Sequence, residues 1–306
     1  MKVLVLGSTG LVGSSLIRTF SNEKLFNIFS PKRSELNLFS LNDVQTYIQN
    51  LQPDYIINAA AKVGGILANN TYRADFILEN LKININILES IIPFNSIKVI
   101  NLGSSCIYPL NAPNPIKEEY FMTGELEATN SPYAMAKISA IELGRSLNTQ
   151  YGHNVVNLMP TNLYGPNDNF SDKDSHVIPG LMSRMHNAKK NNLEKFEVWG
   201  TGKPLREFLY VDDLAEAILF IIQNQITEDL VNIGSNEEVS IQKLVDNLVS
   251  TIGYDGEILF NSKYPDGNPR KLLDSSKIKT LGWNPKTNLK EGLGLTYNWY
   301  KKNLEI

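Results

Sequence analysis

Gly7-Ser8-Thr9-Gly10-Leu11-Val12-Gly13 follows an apolar run at 3–6 and opens Leu11–Phe20, a stretch whose apolar residues recur at helical spacing. An apolar run of this length suits a strand buried on both faces of a parallel sheet. The glycines fall in a G-x-x-G-x-x-G pattern between that strand and that helix. Glycine lets the turn tighten and lets the backbone approach a pyrophosphate, which then meets the positive end of the helix. The pattern is weak by itself. Its strand–turn–helix setting makes Gly7, Ser8, Thr9, Gly10, Leu11, Val12 and Gly13 candidate dinucleotide contacts.

The same alternation continues outward. Strands are expected at 26–29, 55–61, 98–102 and 155–158, and helices at 41–51, 68–92 and 132–151, with Pro132 suited to a first helical turn. Strands alternating with helices predict βαβ units: an α/β fold with a Rossmann-type, doubly wound parallel sheet. After Tyr164-Gly165-Pro166 the texture changes. Residues 166–176 carry Asn167, Asp168, Asn169, Asp172 and Asp174 and read as a surface loop. Shorter elements follow: helices near 177–190, 212–223, 240–252 and 289–302, and strands at 197–199, 231–234 and 258–260. They predict a smaller mixed α/β substrate lobe. The dinucleotide domain is expected at 1–165 with 206–234, and the lobe at 166–205 and 235–306.

Composition bounds the partners. The net charge of −3 provides no field for nucleic acid or an anionic membrane, so any anionic ligand depends on local groups. No stretch approaches the ~18–20 apolar residues of a membrane span. The lone cysteine, Cys106, forms no internal disulfide and no multi-cysteine metal site, so no metal is expected, and a reducing cytoplasm fits.

The end of the second strand bears on the choice of dinucleotide. An NAD site places an acid about 20 residues past the glycines to bind the ribose 2′-OH. Here Phe29-Ser30-Pro31-Lys32-Arg33 has no acid. Lys32 and Arg33 read either as a solvated basic turn or as partners of a 2′-phosphate, and the second reading makes NADP(H) the expected cofactor.

Tyr133 and Lys137 lie four residues apart on one helix face. A tyrosine with its usual pKa near ~10 is a poor acid or base at neutral pH, and a nearby ammonium is expected to lower that value. The pair can then pass a proton to a carbonyl oxygen while hydride arrives at carbon. Ser104, just past the fourth strand, can hold the same oxygen.

Beyond these shared motifs, several segments are narrower: 59–65 (AAAKVGG), 103–109 (GSSCIYP), 159–166 (MPTNLYGP), 175–179 (SHVIP), Pro265-Asp266-Gly267 and 269–274 (PRKLLD). The chain resembles, over essentially its full length, the GDP-L-fucose synthase family of extended short-chain dehydrogenase/reductases. The resemblance implies NADPH-dependent 3,5-epimerisation and 4-reduction of GDP-4-keto-6-deoxymannose in a homodimer. It implies Cys106 as base and His176 as acid in the epimerisation, where a small buried hydrophobe and a surface loop residue are the plain alternatives. It places Leu102, Gly103, Ser105, Pro160, Thr161, Asn162, Leu163 and His176 around the cofactor beside Lys137, and Arg184, Trp199, Arg206, Asp266 and Lys271 against the GDP-sugar. Other readings on the same scaffold are a related GDP-4-ketosugar of colitose or 6-deoxyheptose type, a nucleotide-sugar dehydratase or 4-epimerase, and a non-enzymatic NADP sensor. For the dimer, Ile77, Leu81, Ile85 and Leu88 form a helical apolar stripe that serves either an interface or the sheet.

Overall fold

The computed structural model describes residues 1–171, 175–264 and 266–304. Asp172, Asp174 and Pro265, singled out above, lie outside the described residues. The first part of the chain runs β1 (Lys2–Leu6), α1 (Leu11–Phe20), β2 (Asn27–Phe29), α2 (Leu41–Leu51), β3 (Tyr55–Asn58), α3 (Ile66–Thr71), α4 (Arg73–Ser90), β4 (Lys98–Leu102), α5 (Ser131–Tyr151) and β5 (Asn154–Pro160). The remainder runs β6 (Asn162–Tyr164), α6 (Val177–Lys190), β7 (Lys195–Trp199), β8 (Leu205–Tyr210), α7 (Val211–Gln223), β9 (Leu230–Ile233), β10 (Glu238–Ser240), α8 (Ile241–Ile252), β11 (Glu257–Asn261), β12 (Arg270–Lys271), α9 (Ser276–Thr280) and α10 (Leu289–Leu304).

A six-stranded parallel sheet has the order β2-β1-β3-β4-β5-β9. The chain reverses direction across the sheet between β1 and β3, the point where an open α/β sheet leaves a crevice at its carboxyl ends. Strand alternation divides its side chains between two cores. Val3, Val5, Ile57, Ile100 and Val156 face a layer formed by α1 and α7, while Leu4, Leu6, Ile56, Val99 and Val155 face α2, α4 and α5.

A third core gathers α6, α8, α10, β7 and β8. Here β8 lies between β10 and β12 and also pairs with β6, and β7 pairs with β11. The stretch 206–234 therefore divides: β8 joins the small sheet, whereas α7 and β9 join the large one. The short strands β6, β10 and β12 carry too few residues to show alternation, and Arg206-Glu207 masks the pattern of β8. Glu207 is nonetheless fully buried, and its carboxylate accepts from the amides of Asn236 (2.7 Å) and Leu273 (3.1 Å).

Two expectations are corrected. The single helix over 68–92 is broken at Tyr72, whose φ of −106° and ψ of 42° leave the helical region. Asn69 donates to the carbonyls of Gly64 and Gly65, tying the first turn back to the preceding loop. The loop from Pro166 is not wholly a surface feature, because Phe170 is buried and its ring centroid lies 4.9 Å from that of Tyr300. The apolar stripe on α4 also separates, since Leu88 enters the core whereas Ile85 stays 42% exposed.

Candidate active site

The glycine turn is built for close approach. Gly7 has φ +79°, and a Cβ there would meet the Ala59 carbonyl at 2.7 Å; a Cβ on Gly13 would lie 2.1 Å from the Gly7 oxygen. Gly10 meets nothing closer than 3.6 Å, so its place in the pattern is not sterically required by the protein. No side chain caps the start of α1, leaving first-turn amides for an anion. Ser8 is buried, Thr9 is exposed, and Leu11 and Val12 are half-buried. Lys32 and Arg33 follow β2, the neighbour of β1, and both side chains are exposed; neither forms a salt bridge among the described residues.

At the end of β4, the amide of Gly103 donates to the Leu158 carbonyl at 2.9 Å, continuing the β4–β5 register past Leu102. A Cβ on Gly103 would strike Met159 at 2.1 Å. Ser104 then caps a short 3-10 turn spanning Ser105–Ile107, its hydroxyl accepting from the Cys106 amide at 3.4 Å. This turn buries Ser105 and Cys106 at the carboxyl end of the sheet.

Helix α5 brings Lys137 to the same place. It is 2% exposed, and its Nζ donates to the Leu102 carbonyl at 2.6 Å. The ammonium lies 5.7 Å from the centroid of the Tyr133 ring, which meets Phe76 edge-on at 6.3 Å. Burial lowers the Lys137 pKa to about 8, with Cys106 pulling the other way. Burial pushes the Cys106 thiol up, opposed by Lys271, Ser104 and Lys137. Lys271 is itself pushed down by burial and drawn back up by Cys106. Ser104, Cys106, Lys137 and Lys271 thus share one weakly solvated region, with Tyr133 beside Cys106.

The expected lowering of the Tyr133 pKa is not found. Burial is the main cause of its rise, and Cys106 adds to it. The physical reason is desolvation, which penalises the charged phenolate, with the neighbouring Cys106 adding to the rise. In this geometry Tyr133 is a proton donor, the form that reduction of a ketone requires.

A buried row of asparagines underlies these groups, and the sequence reading missed it. Asn58, Asn101 and Asn157 are register partners on β3, β4 and β5. Asn58 donates to Asn84 (2.9 Å) and Asn101 (3.3 Å), and Asn101 donates to Asn157 (3.0 Å). The legible signal was an asparagine within each of three successive strands: last in β3, next to last in β4 and central in β5. The row fixes the relative height of the strand ends from which Leu102 and Gly103 project.

The other candidates are spread from the end of β5 to the smaller sheets. Pro160 ends β5, and Leu163 packs on the first core. The Thr161 amide donates to the Ile233 carbonyl at 3.0 Å, and the Asn162 amide group donates to the Glu207 carbonyl at 2.8 Å. His176 caps α6 by position and remains exposed, yet surrounding protein lowers its pKa. Lys271 and Arg206 are register partners across β12 and β8, and Arg206 donates to the Leu205 carbonyl at 2.8 Å. Asp266 accepts from the amide (2.9 Å) and hydroxyl (2.6 Å) of Thr201, which holds its carboxyl below the usual range. Arg184 donates to the Glu197 carbonyl and places its guanidinium 5.1 Å from the Phe196 ring and 5.3 Å from the Trp199 ring. The structure therefore gathers Ser104, Cys106, Tyr133, Lys137 and Lys271, with Arg206 next to Lys271. Arg184 and Trp199 form a second, more exposed group.

Two surface cavities, of about 240 and 600 Å3, are lined by other residues, such as Phe208 and Lys286 in the first and Glu118 and Lys277 in the second. No helix among the described residues is long and apolar enough to cross a membrane.

Comparison with known proteins returns a model described as "NAD dependent epimerase/dehydratase family" over residues 3–234. The chain is 48% identical over 303 residues to GDP-L-fucose synthase 1 of Arabidopsis thaliana, covering 99% of this chain and 94% of that protein. Among solved structures, a GDP-L-fucose synthetase from Naegleria fowleri bound to NADP matches with a TM-score of 0.90 at 28% identity, over 99% of this chain and 95% of the other. A GDP-mannoheptose C4 reductase from Campylobacter jejuni with NADP bound matches with a TM-score of 0.88 at 34% identity, over 98% of both chains.

Proposed function

This chain belongs to the NAD dependent epimerase/dehydratase family, and we propose that it catalyses the NADPH-dependent 3,5-epimerisation and 4-reduction of GDP-4-keto-6-deoxy-D-mannose to GDP-L-fucose. Its 48% identity to a GDP-L-fucose synthase over 99% of the chain supports the overall reaction. The observation that carries the assignment of groups is the enclosure of Cys106 with Lys137 and Lys271 beside Tyr133. A simple ketone reductase has no use for a buried thiol under the influence of two ammonium groups; an epimerase does.

The glycine turn fits NADP(H): Gly7 and Gly13 exclude side chains, the uncapped start of α1 would receive the pyrophosphate, and the exposed Lys32 and Arg33 would pair with the 2′-phosphate. Bound there, the cofactor supplies hydride to C4. The C4 ketone acidifies the protons on C3 and C5. Burial raises the Cys106 pKa and Lys271 and Lys137 oppose that rise; as the thiolate, Cys106 removes each proton, and His176 returns one on the opposite face. Ser104 holds the C4 oxygen, and Tyr133 gives it a proton during reduction. Lys137 holds the Leu102 carbonyl and balances the charge left on Tyr133. Arg206 and Lys271 hold the diphosphate, and Arg184, Trp199 and Asp266 the remainder of the GDP-sugar.

Two copies pair through α4 and α5, where Leu78 (53%), Ile85 (42%) and Met135 (44%) remain exposed. The reaction is cytoplasmic, in keeping with a single reduced thiol. The match to a mannoheptose C4 reductase favours, as a second reading, a GDP-ketoheptose substrate. Purified protein, NADPH and a panel of GDP-4-ketosugars separate the two by product stereochemistry in NMR. In deuterated solvent the wild type incorporates label at C3 and C5 of the deoxymannose substrate, and Cys106→Ser lowers that exchange at least ~100-fold. Native-rate exchange in the variant would remove Cys106 as base.

A further inference from the structure

The parallel strands β7 and β11 end side by side, with Asn261 opposite Trp199. At the end of β7 and just beyond β11 two large rings stay in solvent: Trp199 is 58% and Tyr264 43% exposed. They stack on one another, with centroids 4.8 Å apart and planes 21° from parallel. The turn that presents Trp199 is held in place, because Thr201 donates from its amide and hydroxyl to Asp266, at 2.9 and 2.6 Å. Gly200, at φ +86°, would carry a Cβ only 2.5 Å from the same carboxylate. The Arg206 guanidinium borders the far side of this loop, 3.0 Å from where a Cβ on Gly267 would stand. An exposed aromatic stack and a cation suited to a diphosphate therefore both lie close to the linked pair Thr201 and Asp266.

We propose that Tyr264 is a nucleobase-binding residue: the purine of the GDP moiety adds to the Trp199–Tyr264 stack, with the diphosphate directed to Arg206 and Lys271. The proposal rests on the reading of the substrate as a GDP-sugar. Tyr264 has no part in the chemistry near Cys106. Its contribution is affinity: stacking uses the π-face that every base presents, and with Arg184 and Tyr264 both against Trp199, the exposed Tyr264 ring is the one that accepts the purine.

The test is titration of GDP into the full chain, read by tryptophan fluorescence and calorimetry, for wild type, Tyr264→Ala and Tyr264→Phe. Tyr264→Ala is expected to weaken GDP binding about 5- to 30-fold, and Tyr264→Phe to stay within about twofold. NADPH affinity is unchanged in both. With the ketosugar, Tyr264→Ala raises KM by the same factor and leaves kcat alone. Wild-type GDP affinity in Tyr264→Ala, with NADPH affinity intact, overturns the stacking role and leaves the GDP-sugar reading standing. Absence of GDP binding to the wild type overturns both. Tyr264→Leu, which keeps bulk without a π-face, decides the matter in the same way if Tyr264→Ala also loses NADPH affinity.

Discussion

Lys137 and Arg184 are both cations assigned to one reaction, and their surroundings differ in kind. Lys137 is 2% exposed, held by the Leu102 carbonyl, and shifted far enough by burial to titrate near about 8. Arg184 is half-buried, held by the Glu197 carbonyl and laid against the Phe196 and Trp199 rings. The first belongs to the carboxyl ends of a buried parallel sheet, where the weakly solvated setting enlarges each charge effect. The second projects from α6 onto a small strand pair, where water screens charge and contact area matters more. The contrast assigns proton transfer to the large sheet and grip on the substrate to the lobe.

The comparison breaks most visibly at Tyr133. Tyr133→Phe removes one proton donor from the buried region and is expected to lower C4 reduction about 100- to 10,000-fold, with the KM for the GDP-sugar little changed. Steady-state NADPH oxidation checks this. A loss confined to KM would place Tyr133 with the lobe instead.

The next effect is graded by pH. The folded pKa of Lys137 is lowered to about 8, chiefly by burial. Reduction is expected to fall as pH rises through that value, by about tenfold per unit on the limb, and Lys137→Met should abolish the limb. Stability moves the other way. Between about 8 and the usual lysine value of ~10.4 the unfolded chain retains a proton that the folded chain has released, so this group's contribution to stability rises with pH. Urea unfolding at matched pH values reads it, and Lys137→Met should remove that component.

The smallest effect sharpens the contrast. Arg33 borders the large sheet but is more exposed than the half-buried lobe cations Arg184, Arg206 and Lys271. If exposure sets the magnitude, Arg33→Ala should cut the kcat/KM preference for NADPH over NADH only about 3- to 10-fold. A change of several hundredfold would show that location outweighs screening.

The chain order made the large sheet readable. Its strands are short and largely apolar, separated by helices with clear periodicity, and the glycine turn marks where the cofactor approaches. Tyr133 and Lys137 were legible because a four-residue spacing on a helix fixes a shared face. The row of asparagines and the buried Glu207 were not, because each needs partners from distant segments to become satisfied. Tyr264 was also invisible: nothing local marks a tyrosine whose neighbour is a tryptophan from another strand.

Sequence alone determined the alternation of strands and helices, the glycine turn and the pairing of Tyr133 with Lys137, since all three follow from local sterics and helical or strand periodicity. Tertiary structure decided the environments. It placed Lys271 beside Cys106, directed Lys137 to Leu102 and raised rather than lowered the Tyr133 pKa, because desolvation and charge coupling depend on which distant segments close over a group.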